Sequence, residues 1–420
     1  MTQQTIKAKT QRIQLPSDGD ASGRSFGKEE MALLEQVVRS GILHATKGTM
    51  TKQLELEFAQ VYSVEHCVAV TSGTASLHTA VAAIDPEPGD EVITTPITDM
   101  GGIAAILSQN ALPIFADVDP KTYNLTAETI QAKITPRTKA IIVVHLFGNP
   151  CDMDPILELA DKHGIPVIED CAQAYLTTYK GKLVGTLGAI GCFSLQQTKQ
   201  MTAGEGGLAI TRNDSLARRM RLFRDKAWGY GDPKPDHYFL ALNYRMTDLQ
   251  GAVALAQLRK LKGMVAARQR TAGMLTEMLK GVEGLNPPRV TPGGSHTYWR
   301  YCLQADEEIL GVDVNQFALL LKEEGIVSAP RYIQKPAFQC DLFKERKTYG
   351  ASQFPYRGVA SRQGLPEVVY DEKDFPNTMK ALSRALVLPW NERYTEEHVR
   401  YIAENLIETA KECLKKNGKC

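Results

Sequence analysis

The sequence lacks the patterns that hold metals, disulfides or membrane spans. Its eight cysteines include no CxxC pair and its eight histidines form no HxH or HExxH motif, which predicts reduced thiols and no metal site. No apolar run approaches the roughly 18 residues of a membrane span. The polar start has no apolar signal-peptide core. These absences predict a cytoplasmic protein without a membrane partner.

Neither basic nor acidic residues predominate in the sequence. Lysine and arginine number 49 and aspartate and glutamate 48, a net charge of +1. We therefore expect no nucleic-acid partner, because phosphate backbones are bound by basic surfaces. The 420 residues are 43% hydrophobic and 23% charged, which is typical of a globular protein that buries a large core.

Short apolar runs alternate with helical patterns in the first part of the chain. Because buried parallel strands are continuous apolar runs, this alternation predicts an α/β fold with a mostly parallel sheet flanked by helices. The predicted strands include 67–70, 91–95, 112–118, 139–147, 165–170, 189–195 and 206–211.

The pattern changes after a basic helix predicted over 212–228. A helix-rich stretch over 248–279 leads away from the sheet, and a later strand at 297–304 is mixed with helices. We therefore predict three regions, namely an N-terminal arm over 1–25, a large domain over 26–255 and a smaller C-terminal α+β domain over 256–420.

Three polar features follow strand-like runs, where ligands of parallel sheets collect. Segment 72–74 (SGT) leads into a helix and offers N–H groups and a hydroxyl for a phosphate, although such residues also cap helices. Asp170 ends one run and either serves a ligand or caps a turn. Lys199 lies in a polar loop before the glycine-rich turn 203–207, and a single lysine is commonly a solvated surface charge.

Together the three features meet the needs of pyridoxal 5'-phosphate (PLP). Lys199 supplies an amine for a Schiff base with the cofactor aldehyde and can then move a proton between carbons. Asp170 supplies a carboxylate that keeps the ring nitrogen protonated, and segment 72–74 supplies a phosphate cup. Dinucleotide binding lacks its GxGxxG fingerprint after the first strand.

Six segments occur in a fixed order: SGTASL (72–77), GDEVITTP (89–96), VVHLFGNPCDMD (143–154), IEDCAQAY (168–175), GCFSLQQTKQMTAGEGG (191–207) and NYRMTDLQGAVALAQL (243–258). From about Phe26 to Leu414 the chain thereby resembles the DegT/DnrJ/StrS-type PLP-dependent sugar aminotransferases, of fold type I in the aspartate aminotransferase superfamily. The resemblance implies a large PLP-binding domain and a smaller C-terminal domain.

The resemblance also implies residue roles in the cofactor site. Lys199 would form the Schiff base, Asp170 would partner the pyridine nitrogen and Gln173 would lie at the ring hydroxyl side. The phosphate would be bound by Gly73, Thr74 and Ser194.

Two further positions are implied to act across a subunit boundary or beside it. Asn243 matches a residue that reaches the phosphate in the neighbouring subunit, which implies a homodimer with shared active sites. Arg245 is a candidate contact with cofactor or substrate. Both residues could instead only stabilise a turn.

Two departures from the family pattern concern the cofactor ring and the substrate. Met100 stands at about the place where many members carry an aromatic residue over the ring, and its sulfur could pack there. The loop SLQQTK is more similar to the aminocyclitol branch, which aminates keto-inositols using glutamine, and to aminohydroxybenzoate synthases. Candidates for substrate contacts are Arg331 and Tyr332, followed by His296, Arg300, Lys335 and Trp390.

The resemblance predicts an aminotransferase with a ping-pong mechanism. Glutamate or glutamine would give its amino group to a ketone of a sugar, nucleotide sugar or cyclitol. The presence of Lys199 favours this reaction over that of relatives in which histidine replaces the lysine. Two alternatives remain, a PLP-dependent dehydratase and aromatase of the aminohydroxybenzoate synthase type and a non-catalytic regulator with the same fold.

Overall fold

A computed structural model describes residues 12–357 and 367–418. The first eleven residues of the predicted arm and Cys420 lie outside the described residues. The seven cysteines among the described residues form no disulfide. Across the same ranges, no helix combines the length and apolar character needed to cross a membrane.

The strands are short and mostly match the predicted runs. They are β1 (His66–Val70), β2 (Glu91–Thr94), β3 (Leu112–Phe115), β4 (Thr138–Val144), β5 (Val167–Asp170), β6 (Thr178–Tyr179), β7 (Lys182–Leu183), β8 (Ile190–Ser194), β9 (Gly207–Thr211), β10 (Leu285–Asn286), β11 (Gly294–Ser295), β12 (Arg300–Ala305), β13 (Ala329–Pro330) and β14 (Ala385–Pro389).

The helices occupy most of the remaining chain. They are α1 (Lys28–Ser40), α2 (Met50–Tyr62), α3 (Gly73–Ile84), α4 (Met100–Ser108), α5 (Ala127–Gln131), α6 (Met153–His163), α7 (Asp214–Arg224), α8 (Asp248–Met278), α9 (Glu307–Leu310), α10 (Val314–Glu323), α11 (Asp341–Lys344), α12 (Pro376–Arg384) and α13 (Glu396–Lys416), with 3₁₀ turns at Leu146–Gly148, Ala337–Gln339, Gly350–Ser352 and Glu372–Asp374.

Seven strands form the central sheet, in the order β1-β9-β8-β5-β4-β2-β3. Strand β9 runs antiparallel to β1 and β8, and the other neighbouring pairs are parallel. Alternate residues enter two separate cores, since Val68 packs with Ala80 of α3 while Ala69 packs with Phe58 of α2. The predicted α/β fold with a mostly parallel sheet flanked by helices is therefore confirmed.

Some predicted elements are longer than the observed ones for identifiable reasons. Strand β3 ends at Phe115 because its neighbour β2 ends at Thr94, the residue paired with it. The basic helix begins after Asn213, whose side chain caps it. Beyond Asp225, Lys226 and Ala227 both adopt positive φ angles, which end the helix well before residue 228.

The C-terminal region contains a four-stranded antiparallel sheet in the order β10-β12-β14-β13. Helix α8 connects this region to the central sheet. Its Leu258 lies in the core that contains α2, whereas its Leu275 lies in the core of the antiparallel sheet. The helix runs without a break across the predicted boundary at 255/256, and the boundary itself stays a prediction.

The described part of the predicted arm packs against the rest of the protein. Asp18 and Arg24 are buried, with 3% and 1% of their surface exposed. Asp18 accepts hydrogen bonds from Arg268 of α8 and Arg300 of β12, and its carbonyl accepts one from Gln197 in the lysine loop. The polar composition of this segment therefore reflects buried ion pairs.

Candidate active site

The carboxyl ends of β1, β2, β5 and β8 lie at one edge of the central sheet, since β9 reverses direction on both sides of itself. At this edge the chain carries segment 72–74, Asp170 and Ser194, and Lys199 follows a few residues beyond β8. The sheet topology therefore brings together predicted site residues from three separate segments of the chain.

The predicted phosphate cup lies at the N-terminus of α3. Ser72 caps the helix by accepting a hydrogen bond from the Ala75 N–H at 3.0 Å. A Cβ atom at Gly73 would lie 2.6 Å from Cβ of Ser194, so only glycine allows this close approach. The N-terminus of a twelve-residue helix, next to the Thr74 and Ser194 hydroxyls, is suited to bind a phosphate.

A second helix N-terminus, that of α4, adjoins this cup. Asp99 caps α4 by accepting a hydrogen bond from the Gly101 N–H at 2.8 Å. A Cβ atom at Gly101 would come within 2.4 Å of the Thr74 hydroxyl oxygen. Met100 is half-buried against the cluster that contains Ile103 and Phe338. Whether its sulfur covers a cofactor ring stays a prediction.

Asp170 is the last residue of β5 and is buried. One of its carboxylate oxygens accepts a hydrogen bond from the Ala172 N–H at 3.0 Å. Its other oxygen lies 3.8 Å from the position that a Cβ at Gly102 would occupy. Burial raises the pKa of Asp170, while the Ala172 hydrogen bond and the charge of Lys199 oppose that rise. A cationic partner is therefore favoured at this carboxylate.

Lys199 is 9% exposed, unlike a solvated surface lysine. Its Nζ lies 4.1 Å from the ring centroid of Trp299. Burial lowers the pKa of Lys199 to about 8, against the attraction of Asp170 and Asp99. A substantial fraction of this amine is therefore neutral near pH 8 and able to act as a nucleophile.

Side chains far away in the sequence hold the lysine loop in place. Trp299 donates its indole N–H to the Thr198 carbonyl at 2.8 Å. Gln200 donates to the Gln173 carbonyl at 2.9 Å. The loop therefore presents Lys199 from a fixed backbone. Trp299 was not predicted from the sequence, and its position beside the candidate Arg300 was the only available signal.

Gln173 and Tyr332 lie together at the same site. The Gln173 side-chain oxygen accepts the Phe147 N–H at 2.7 Å, and its nitrogen donates to the Tyr332 hydroxyl at 3.1 Å. Burial raises the pKa of Tyr332, so the hydroxyl keeps a proton to donate. Arg331 and Tyr332 both adopt positive φ angles, a conformation rare for such residues.

Buried side chains of His145, Glu169 and Cys171 lie close enough to share an ion, but hydrogen bonds already occupy the polar atoms of His145 and Glu169. His145 Nδ1 accepts the Cys151 N–H at 3.0 Å, and Nε2 lies 3.0 Å from Glu169. Glu169 also accepts three backbone N–H groups, from Gly185, Leu187 and Gly188. We interpret this cluster as support for the strand ends beneath Asp170.

Arg245 lies beside the end of β1, where it pairs in a β-bridge with Val70, and Asn243 lies two residues earlier in the chain. Both stand before α8, where Asn243 is exposed and pairs in a β-bridge with Asp225. The Arg245 guanidinium donates to the Asp225 carboxylate. An exposed Asn243 is compatible with a role in a neighbouring subunit, and this role stays a prediction.

Three other substrate-contact candidates are either buried or lie beside an oppositely charged residue. Trp390 is fully buried and donates its indole N–H to Thr271 at 3.1 Å. Burial lowers the pKa of His296 to about 3, so it is neutral. Lys335 is half-exposed and lies 3.8 Å from Asp341. Arg300, by contrast, stacks on Trp299 beside Lys199.

Comparison with known proteins identifies the family. The model of the DegT/DnrJ/EryC1/StrS aminotransferase family matches residues 24–366, and the chain belongs to this family. The chain is therefore similar to enzymes that transfer amino groups, on a fold used by PLP-dependent proteins.

Individual relatives cover most of the chain. GDP-perosamine synthase of Caulobacter vibrioides is 39% identical over 319 residues, which are 75% of this chain and 84% of that protein. L-glutamine:2-deoxy-scyllo-inosose aminotransferase of Streptomyces kanamyceticus is 39% identical over 316 residues, 71% of this chain and 74% of that protein. The crystal structure of 3-amino-5-hydroxybenzoic acid synthase superposes with a TM-score of 0.81 and 26% identity, covering 93% of this chain and 98% of the other.

Proposed function

We propose that the protein is a PLP-dependent aminotransferase that moves an amino group from glutamate or glutamine to a ketone of a sugar, nucleotide sugar or cyclitol. The observation that carries the proposal is the meeting of a buried lysine, a buried aspartate and a helix N-terminus at one edge of the sheet. Each matches one functional group of PLP.

The residues present fit the cofactor. Gly73, Thr74 and Ser194 would hold the phosphate, in a cradle that a side chain at position 73 would fill. Asp170 would hold the pyridine nitrogen and Gln173 would lie at the ring hydroxyl. When bound, PLP supplies an electron sink that weakens a bond to hydrogen at the amine-bearing carbon.

Two side chains of the protein then handle protons. Asp170 keeps a proton on the ring nitrogen, because a buried carboxylate is stabilised by a cationic partner. Lys199 Nζ holds the cofactor at rest and, once released, moves a proton between two carbons as base and acid. Its pKa of about 8 suits this double role near neutral pH.

The identity of donor and acceptor rests on the relatives. Their names specify a glutamine donor with an inosose acceptor in one case and a GDP-linked sugar product in another. The loop SLQQTK favours the cyclitol branch. We therefore propose an uncharged or nucleotide-linked keto-sugar or keto-cyclitol as acceptor, and a homodimer in which Asn243 completes the partner's site.

An absorbance spectrum tests the first half-reaction. Protein loaded with PLP is recorded before and after addition of glutamate and, separately, of glutamine. Bleaching of the visible band by one of them supports the proposal and identifies the donor. A band that neither bleaches contradicts both donors and directs attention to the dehydration reaction. No band at all contradicts the role of Lys199.

A further inference from the structure

A buried ion cluster joins the N-terminal segment to the candidate site. Asp18 and Glu392 provide two carboxylates, and Arg24, Arg268 and Arg300 provide three guanidinium groups. The cluster therefore holds one more positive than negative charge among the described residues. Unpaired buried charge is costly, so an anion that completes the cluster would be bound favourably.

Two of the three arginines are closed off from the site. Arg24 is 1% exposed, and none of its side-chain nitrogens has a hydrogen-bond partner within the described residues. Arg268 is also fully buried and donates to Glu392 at 2.8 Å and to the Trp390 carbonyl. Neither guanidinium can reach a substrate at Lys199.

Arg300 differs because it borders both the cluster and the site. Its guanidinium carbon lies 4.6 Å from the centroid of the Trp299 ring, the same ring that Lys199 Nζ approaches to 4.1 Å. Its side chain is 15% exposed. Nη1 donates to Asp18, and within the described residues no hydrogen bond engages Nε or Nη2. Two nitrogens therefore remain to bind a carboxylate in bidentate fashion.

We propose that Arg300 binds the α-carboxylate of the amino-acid donor, and that Asp18 is the positioning residue that holds its guanidinium beside the site. This inference rests on the proposed function, because only a transaminase donor must place a carboxylate close to Lys199. Arginine is suited to the task because its planar fork matches a carboxylate. The N-terminal segment thus takes part in donor recognition.

The test measures binding of a donor that lacks its amine and so cannot react. The probe is glutaramate, which has one carboxylate, and its neutral twin is glutaramide, in which a carboxamide replaces that carboxylate. Calorimetry with the PLP-loaded enzyme compares wild type, Arg300→Gln, Arg300→Lys and Asp18→Asn. The control is Arg384→Gln, which removes another partly exposed arginine paired with a carboxylate.

In the wild type we expect the acid to bind about 10- to 100-fold more tightly than its neutral twin, the range for charge-assisted hydrogen bonds. Arg300→Gln should abolish this preference, Arg300→Lys should keep part of it and Asp18→Asn should reduce it. KM for the donor should rise most in Arg300→Gln and less in Arg300→Lys and Asp18→Asn. Affinity for the neutral twin should be the same in all variants, and Arg384→Gln should change neither the preference nor KM.

The outcomes separate this inference from the proposed function. Suppose that a donor bleaches the visible band of the wild type but Arg300→Gln still binds the acid more tightly than its neutral twin. The proposed role of Arg300 is then wrong, and the proposed aminotransferase function is unaffected. If the wild type responds to neither donor, the proposed function is wrong. Should Arg300→Gln not fold, Arg300→Lys and Asp18→Asn decide, and an unchanged preference in both contradicts the inference.

Discussion

The Nζ atom of Lys199 lies 4.1 Å from the ring centroid of Trp299, and the indole N–H of Trp299 donates to the carbonyl of Thr198, next to that lysine. The Trp299 side chain therefore holds the loop backbone in place and also contacts the Lys199 amine with its ring. The ring face also stabilises a cation, which partly offsets the burial that lowers the pKa of Lys199.

Replacement of Trp299 should separate these two contributions. Trp299→Leu removes both ring and hydrogen bond and should weaken PLP binding about 30-fold, since a hydrogen bond and a cation–π contact each contribute roughly 1 kcal/mol. Trp299→Phe keeps a ring and should lose less. Fluorescence titration of apoprotein with PLP measures both. Equal affinity in wild type and Trp299→Leu would contradict the positioning role.

Lys199→Ala should abolish the visible absorbance of the loaded protein and slow amine exchange at least 100-fold, because the base that moves the proton is lost. Lys199→Arg is the matched control, since it keeps a cation but cannot hold the cofactor covalently. Thermal unfolding of the apoprotein checks that both variants fold. A visible band in Lys199→Ala would show that another amine holds the cofactor.

Asp170→Asn should lower the rate of the first half-reaction about 100-fold, because a neutral amide does not keep the ring nitrogen protonated. In the apoprotein, the same substitution should not lower the free energy of unfolding. Burial raises the pKa of Asp170, so its charge costs stability above the unfolded pKa. At neutral pH the apo variant should therefore unfold no earlier than wild type. A variant that keeps the wild-type rate and whose apoprotein unfolds earlier than wild type would contradict both expectations.

Comparison of these residues shows what the sequence could predict. Asp170 ends an apolar strand and segment 72–74 follows one, so local patterns are enough to mark them as candidates, whereas the role predicted for Ser194 comes from the family resemblance. Trp299 and Asp18 could not be found this way. Trp299 bonds to a residue 101 positions away and Asp18 to one 282 positions away. Such contacts arise only when the two cores pack on α8.

The rate at which apoprotein captures PLP should depend on pH through Lys199. Its folded pKa is about 8, lowered from 10.5, so the reactive neutral amine increases as pH rises through 8. The capture rate should rise with a midpoint near pH 8. Pyridoxamine phosphate, which forms no bond to the lysine, is the control and should bind without this rise. A midpoint near 10 would contradict the burial effect.

Sharing of sites between subunits can be tested by complementation. In a heterodimer of Lys199→Ala and Asn243→Ala subunits, the subunit that keeps Lys199 would receive an intact Asn243 from its partner. If Asn243 acts across the interface, as its exposure allows, the mixture should regain about a quarter of wild-type activity, since half of the dimers carry one complete site. If Asn243 acts within its own chain, no site contains both residues and activity stays at the level of the single variants. An active Asn243→Ala homodimer would instead assign this residue to the turn that precedes α8.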